Sequence, residues 1–167
     1  MTFLDRLSAK REWTEEERLV IDQVTRVADE IIGPAAAGYD QSQDYPEDSM
    51  EALNELGMNA IFVPEVYGGA LMSYRLYLEC VSIISAACAS TGIIYATNFH
   101  GMKPLIDFGA EEQKLRLLPR IAEGGLGSLA ITESSAGSDA TGMKTRFTPD
   151  GDDIIIDGSK TFISNGD

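Results

Sequence analysis

The hydrophobic pattern of the chain changes once, at Gly124-Gly125, and this change limits the possible folds more than any other feature. Before the two glycines, apolar residues recur every three or four positions, which is the spacing of amphipathic helices. After them come short apolar runs separated by Gly, Asp and Ser, which are typical of strands. A chain of 167 residues can bury one helical domain and the start of another. The sequence therefore predicts an α+β chain with an all-α domain at 1–125 and the beginning of a β domain at 126–167.

The first helix is predicted from its end signals. Thr14 followed by Glu17 has the spacing of a capping box, in which each side chain binds the other residue's backbone N–H. Gly33-Pro34 is expected to stop this helix, because proline cannot donate a backbone hydrogen bond. Between these ends, one buried face is predicted from the helical spacing of Val20, Val24, Val27 and Ile31.

Proline and glycine also divide the rest of the helical region. Residues 59–63 are expected to form a short extended link, and residues 64–69 to form a turn. Apolar side chains cover nearly the whole circumference of 74–88, which predicts a central helix buried on most sides. Gly101 and Pro104 are expected to kink or divide the helix that contains them. The sequence thus predicts a bundle with further helices at 46–57, 74–88, 92–108 and 111–122.

Beyond Gly125, two turn dipeptides, Asp150-Gly151 and Asp157-Gly158, separate short apolar runs. Four short strands that end with the chain would leave an open sheet edge, so we expect the β domain to be truncated. The strands are predicted at 126–132, 144–148, 154–157 and 161–164.

Charge and cysteine content argue against several functions. The 27 acidic and 13 basic side chains give a net charge of −14, and such a field repels nucleic acids and anionic lipid surfaces. Cys80 and Cys88 lie in an apolar stretch, where we expect small buried side chains rather than a disulfide or a metal site. We therefore expect no nucleic acid, membrane or metal partner. The expected location is cytoplasmic, or the mitochondrial matrix in a eukaryote.

Two motifs in the β region carry chemistry. Residues 131–139, ITESSAGSD, combine hydroxyl groups with a glycine that lets a ligand approach the backbone, as a site for a polar heterocycle or phosphate would require. Residues 156–166, IDGSKTFISNG, follow about twenty-five residues later. Together with PEVYGG at 64–69 and GAEEQKLRLLP at 109–119, they resemble the acyl-CoA dehydrogenase superfamily in order and spacing. That resemblance implies that the β strands begin a β-barrel-like middle domain.

The resemblance also implies an FAD site. Thr132 matches a hydroxyl partner of the flavin ring's polar edge, and Gly137 and Ser138 match the loop on the pyrophosphate side. Phe162 matches an aromatic residue that packs on the ring, and Ser164 a residue that bonds near its reactive nitrogen. The implied cofactor contacts are Leu129, Ile131, Thr132, Gly137, Ser138, Phe162 and Ser164. An implied substrate pocket involves Tyr95, Phe99 and Ser138.

In its complete form, a protein with this resemblance would dehydrogenate an acyl-CoA thioester between its α and β carbons. Electrons would pass to FAD and then to an electron-transfer flavoprotein, and a homotetramer is common in the family. The family's catalytic base is usually a glutamate of a later helical domain, beyond Asp167, so no catalytic residue is assigned. His100, the only histidine, is expected to be structural or to line a pocket. Glu133 is not proposed as a base.

Other functions remain open at this point. Many family members have proline at the position of Ser134 and tryptophan at that of Phe162, so the subfamily is not fixed. A flavin oxidase, nitroalkane oxidase or monooxygenase of the same fold is one alternative. A non-catalytic, truncated binding module is another, and a third is a sheet completed by a separate chain that supplies the base. The chain alone is expected to bind FAD weakly or not at all, and to be inactive.

Overall fold

A computed structural model describes residues 12–166 of the chain. Residues 1–11 and Asp167, which belong to the two predicted domains, lie outside the described part. The helices are α1 (Glu15–Val27), α2 (Gly33–Ser42), α3 (Glu47–Glu55), α4 (Tyr74–Ala87), α5 (Ala89–Phe108) and α6 (Glu111–Ala122). Two strands follow, β1 (Arg146–Asp150) and β2 (Asp153–Asp157). This order of a helical part and then strands confirms the predicted α+β class.

The start of α1 confirms the predicted capping box. The Thr14 hydroxyl accepts a hydrogen bond from the backbone N–H of Glu17 at 3.1 Å, and the Glu17 carboxylate accepts one from the N–H of Thr14 at 3.0 Å. Both groups would otherwise be unpaired at the helix end. Local sequence alone therefore fixes where this helix begins.

The prediction that Gly33-Pro34 stops the first helix is wrong. A single π turn, Ala28–Ile32, joins α1 to α2, and the N–H of Gly33 donates to the carbonyl of Ala28. Such a turn accommodates one extra residue, and the helical path of the backbone continues through it. Pro34 then lies in the first turn of α2, where the N–H that it lacks is not needed.

The link after α3 is also different from its prediction. Gly57 adopts a left-handed conformation, with φ of 70°, and closes α3 as expected. Residues 59–63 are not extended, because Met58–Ala60 forms a 3-10 turn. That turn carries Met58 and Ile61 into the core, and their burial explains why the chain stays coiled here.

Four helices and the π turn enclose the main core. α4 contributes Leu76, Cys80 and Ile84, which are fully buried, but its opposite face exposes about half of Tyr74 and Leu78. The expectation that α4 is buried on most sides is therefore wrong for the described residues. Cys80 and Cys88 are free and buried, as predicted. The core cluster comprises Val24, Ile32, Met50, Leu53, Met58, Ile61, Leu76, Tyr77, Cys80, Ile84, Cys88 and Tyr95.

Helix α5 is continuous over 20 residues and passes through both Gly101 and Pro104, so of the predicted kink or division, the division is wrong and the kink stays a prediction. It ends before Gly109, as expected. A second, smaller core links α5 with α6 through Val63, Tyr67, Met102 and Leu118. None of the helices among residues 12–166 has the length and apolar character needed to span a bilayer.

Two of the four predicted strands form in the described part. β1 and β2 make an antiparallel hairpin in which Phe147 faces Ile156 and Asp150 faces Asp153. The predicted turn at Asp150-Gly151 is present, and Gly151 has φ of 62°. The strands expected at 126–132 and 161–164 are absent. These two segments share one backbone hydrogen bond, from Thr161 N to Thr132 O at 2.9 Å, where a strand requires a repeating ladder.

Candidate functional site

A cavity of about 210 Å³ lies where α5 meets two segments of the β region. Leu129, Ile131 and Thr132 of one segment line it together with Phe162 and Ser164 of the other. These are five of the seven residues implied as cofactor contacts, and they come from two segments at least thirty positions apart. The complete lining is Thr97, His100, Leu129, Ile131, Thr132, Phe162, Ile163 and Ser164.

Side chains hold the two segments together where a backbone ladder is lacking. The Ser128 hydroxyl donates to the Ser164 carbonyl at 3.0 Å, and the Asn165 amide donates to the Gly127 carbonyl at 3.3 Å. With the bond between Thr161 and Thr132, these contacts bring residues 127–132 beside 161–165. The cavity walls are thus positioned by specific polar contacts.

A buried asparagine fixes the first segment on the helices. Asn98 of α5 is only 2 % exposed, and its side-chain oxygen accepts a hydrogen bond from the backbone N–H of Gly127. Its amide donates to Asn59 at 3.0 Å, and Asn59 in turn donates to Asn54 at 2.6 Å. Every polar atom of the Asn98 side chain therefore has a partner, as a buried amide requires. These contacts connect α3, α5 and the entrance of the β region.

Glycine allows α5 and this segment to approach closely. A Cβ atom placed on Gly101 would lie 2.5 Å from the backbone nitrogen of Ser128 and 2.6 Å from the carbonyl carbon of Gly127. Real Cβ atoms do not come this close to backbone, because the van der Waals radii would overlap. Gly101 is thus required here for close packing, although the sequence suggested a helix break.

Glu133 ties the end of the first segment to the hairpin. Its carboxylate accepts hydrogen bonds from the backbone N–H groups of Lys144 at 2.8 Å and Thr145 at 2.9 Å. The Lys160 ammonium donates to the same carboxylate at 3.0 Å and to the Ile131 carbonyl at 2.8 Å. The bond from Lys144, followed by those from Thr145 and Lys160, lowers the pKa of Glu133 to about 2. Glu133 is therefore an ionised structural anchor.

This anchor predicts how the region responds to acid. The Glu133 pKa lies below its ordinary value of 4.5, so its stabilising contribution is complete above that pH and is lost as the pH falls toward 2. A carbon NMR titration of the chain should give a midpoint near 2 for the Glu133 carboxyl. In Lys160→Met the midpoint should rise but stay below 4.5, because the two backbone donors remain. If the Glu133 midpoint in the unsubstituted chain is instead about 4, the value of solvated glutamates, the assignment is contradicted.

The cavity has the features that a flat heterocycle would need. Phe162 is 92 % exposed, and its φ of 57° is unusual for a bulky residue, so the backbone there is strained and presents the ring to solvent. Thr132 and Ser164, which carry hydroxyl groups, line the cavity together with the apolar residues Leu129 and Ile131. A flat apolar surface with polar groups at its edge fits an isoalloxazine ring.

The other predicted site residues lie elsewhere. Gly137 and Ser138 are exposed and do not line the cavity. Tyr95 is a core residue whose hydroxyl donates to the Met58 carbonyl at 3.3 Å. Phe99 packs in an aromatic cluster, with its ring centre 4.7 Å from that of Phe62. The roles assigned to these four residues, and to the five that line the cavity, stay predictions.

Thr97 and Ile163 line the cavity although sequence reasoning did not name them, and His100, expected to be structural or to line a pocket, lines it too. Thr97 and His100 are one helical turn apart on α5 and make its helical wall. Asn98 was missed as an anchor, although a lone amide within an apolar helical stretch is a signal for a buried polar contact.

Among residues 12–166, no three His, Cys, Asp or Glu side chains lie close enough together to hold a metal ion.

Both parts of the chain match known protein families. The profile of the family described as "Acyl-CoA dehydrogenase, N-terminal domain" matches residues 14–125, and that of "Acyl-CoA dehydrogenase, middle domain" matches residues 128–167. Among curated proteins, the probable acyl-CoA dehydrogenase YngJ of Bacillus subtilis is 39% identical over 156 residues. The alignment covers 92% of this chain and 41% of YngJ, so the chain spans about two fifths of that relative's length.

Solved structures have the same fold. Butyryl-CoA dehydrogenase from Megasphaera elsdenii superposes with a TM-score of 0.87 at 26% identity, over 94% of this chain and 43% of its own. An acyl-CoA dehydrogenase from Bacillus anthracis, solved in complex with FAD, gives a TM-score of 0.84 at 26% identity, over 92% of this chain and 27% of its own. The helical part and the start of the β part are thus both similar to these enzymes.

Proposed function

The chain belongs to the acyl-CoA dehydrogenase family, and from this premise we propose that it is the N-terminal portion of an FAD-dependent acyl-CoA dehydrogenase. The complete enzyme would oxidise an acyl-CoA thioester between its α and β carbons and pass the electrons to an electron-transfer flavoprotein. The match to about two fifths of YngJ supports the view that the chain is a portion of such an enzyme.

The observation that carries this proposal is the convergence of residues 129–132 and 162–164 on one cavity beside α5. Bound FAD would supply the electron acceptor for the reaction. Thr132 and Ser164 would hold its polar ring edge, and Phe162 would pack on its face, while Gly137 and Ser138 would border the pyrophosphate. A hydroxyl donor at Ser164 would favour negative charge on the adjacent ring.

No Asp or Glu of the described part lines the cavity, so none is placed to act there as a catalytic base. Glu133 is held by three donors, and its pKa of about 2 makes it a poor proton acceptor at neutral pH. We therefore propose that the base, and the remaining cofactor contacts, belong to residues that follow Asp167 in the complete enzyme. We also propose that the complete enzyme is a homo-oligomer in the cytoplasm, or in the matrix of a mitochondrion.

Flavin binding tests the proposal in two steps. Titration of FAD into the 167-residue chain, followed by gel filtration, should leave little flavin with the protein, because half a site does not offset the entropy lost on binding. The same reading frame extended beyond Asp167 should retain FAD and lose its yellow absorbance when an acyl-CoA is added anaerobically. Retained flavin without bleaching by acyl-CoA would favour another flavin reaction, and no flavin in either protein would refute the site.

A further inference from the structure

We propose that His100 is a specificity-determining residue, which favours acyl groups that carry a hydrogen-bonding substituent over plain alkyl chains. The ligand class is an acyl thioester with a hydroxyl, carbonyl or carboxylate group along its chain. This inference rests on the proposed function, because it concerns the substrate of the same cavity. Two observations support it: the position of His100 in the cavity wall, and the lack of hydrogen-bond partners for its ring nitrogens among residues 12–166.

His100 lies on the helical wall of the cavity, whereas the residues proposed for FAD lie on the walls formed by the β region. α5 contributes only Thr97 and His100 to the cavity, whereas the remaining lining comes from residues 129–132 and 162–164. A molecule that reacts with a flavin must lie against its face, so it would occupy the space between the flavin and α5. The helical wall, and His100 within it, would therefore contact the substrate.

The two polar residues of this wall differ in what they can offer to a ligand. The Thr97 hydroxyl donates back to the Ile93 carbonyl at 2.8 Å and lies 3.1 Å from that of Ile94, so its proton is used within the helix. Within residues 12–166, no hydrogen bond, ion pair or ring contact involves the His100 imidazole. A neutral imidazole has one donor and one acceptor nitrogen, and both are open to a ligand here.

This difference has an energetic consequence for binding. An alkyl chain that covers His100 would remove water from the ring nitrogens and offer no replacement, which is unfavourable. A hydroxyl or carbonyl group on the acyl chain would replace that water with a direct hydrogen bond. The nearest charged side chain along α5, Lys103, is paired with Asp107 one turn further on, so it does not serve the same purpose.

The test compares two thioesters whose acyl chains have the same number of non-hydrogen atoms, in the FAD-containing, extended protein. The substrates are 5-hydroxypentanoyl-CoA and hexanoyl-CoA, which differ by a hydroxyl in place of a methyl group. The ratio of their kcat/KM values should fall about tenfold in His100→Leu, the size of one lost hydrogen bond. It should stay within about threefold of the wild-type ratio in His100→Gln, which keeps a donor and an acceptor.

A matched control removes a nearby polar group outside the cavity. Lys103→Met, on the same helix, should leave the ratio unchanged. An equal ratio in the wild type and in His100→Leu would overturn the inference and leave the proposed function intact. If the wild-type protein oxidises neither thioester, the proposed function fails, and the inference fails with it.

Discussion

Replacing Asn98 with leucine should lower the free energy of unfolding by about 3 kcal/mol, even though the two side chains are similar in size. The substitution removes Asn98 as the partner in two hydrogen bonds and leaves both of the other groups in place. It leaves the Gly127 N–H without an acceptor and the Asn59 oxygen without a donor, at a position that is 2 % exposed. Each unsatisfied buried group costs about 1–3 kcal/mol, and leucine brings no compensating hydrogen bond. Urea denaturation followed by circular dichroism measures the change.

Asn165→Ala provides the matched control for this prediction. Asn165 also binds Gly127, through a 3.3 Å bond to its carbonyl, but it is only half-buried, so water can replace the lost donor. Its substitution should cost about 1 kcal/mol or less. Equal losses in the two variants would mean that the Asn98 contacts have no special role. A change of the denaturant slope would show that Asn98→Leu alters compactness as well as stability.

Gly101→Ala should destabilise the chain by about 2 kcal/mol or more, which is the reverse of the usual effect of this substitution in a helix. Alanine is normally the better helix former by about 1 kcal/mol. At Gly101, however, the added methyl group would lie 2.5 Å from the Ser128 nitrogen, and the atoms that it meets belong to the backbone. α5 and the segment after Gly127 would have to separate, and the cavity between them would change shape.

Gly38→Ala is the corresponding control, because Gly38 lies in the exposed part of α2 and a Cβ there would meet no atom within 4 Å. It should stabilise the chain by about 0.5–1 kcal/mol. Thermal unfolding of the two variants should therefore shift the midpoint in opposite directions. A stabilised Gly101→Ala would show that α5 does not pack on the segment as closely as the structure indicates.

The helix ends were predictable because their signals are local. The capping box at Thr14 and the left-handed Gly57 depend on residues within one turn, and both are present. Gly33-Pro34 misled because a π turn is an interruption that leaves no simple mark in the sequence. Gly101 misled for a related reason, since a glycine that permits close packing looks the same in sequence as one that breaks a helix.

In the site, too, residues that belong to local motifs could be predicted, whereas features that depend on contacts between distant segments could not. Of the six cavity residues after Gly125, five were implied by motifs that resemble a known family, and Ile163 was not. Thr97 was not assigned to the cavity from sequence, and a pocket was one of two expectations for His100, because which face of α5 meets the β region depends on contacts between distant segments. The strands expected at 126–132 and 161–164 failed for the same reason, as strand formation requires a partner at the right position.

The hairpin β1–β2 has a consequence for the colloidal behaviour of the chain. Phe147 and the three isoleucines of β2 are each more than half exposed. An apolar two-stranded sheet with which no other strand of residues 12–166 pairs can template association between molecules. Aspartates border this apolar run, at positions 150, 152, 153 and 157. At neutral pH their mutual repulsion, together with the net charge of −14, opposes pairing of one hairpin with another. Solutions of this chain should therefore be clearest well above its isoelectric point of about 4.3 and turn turbid as that pH is approached.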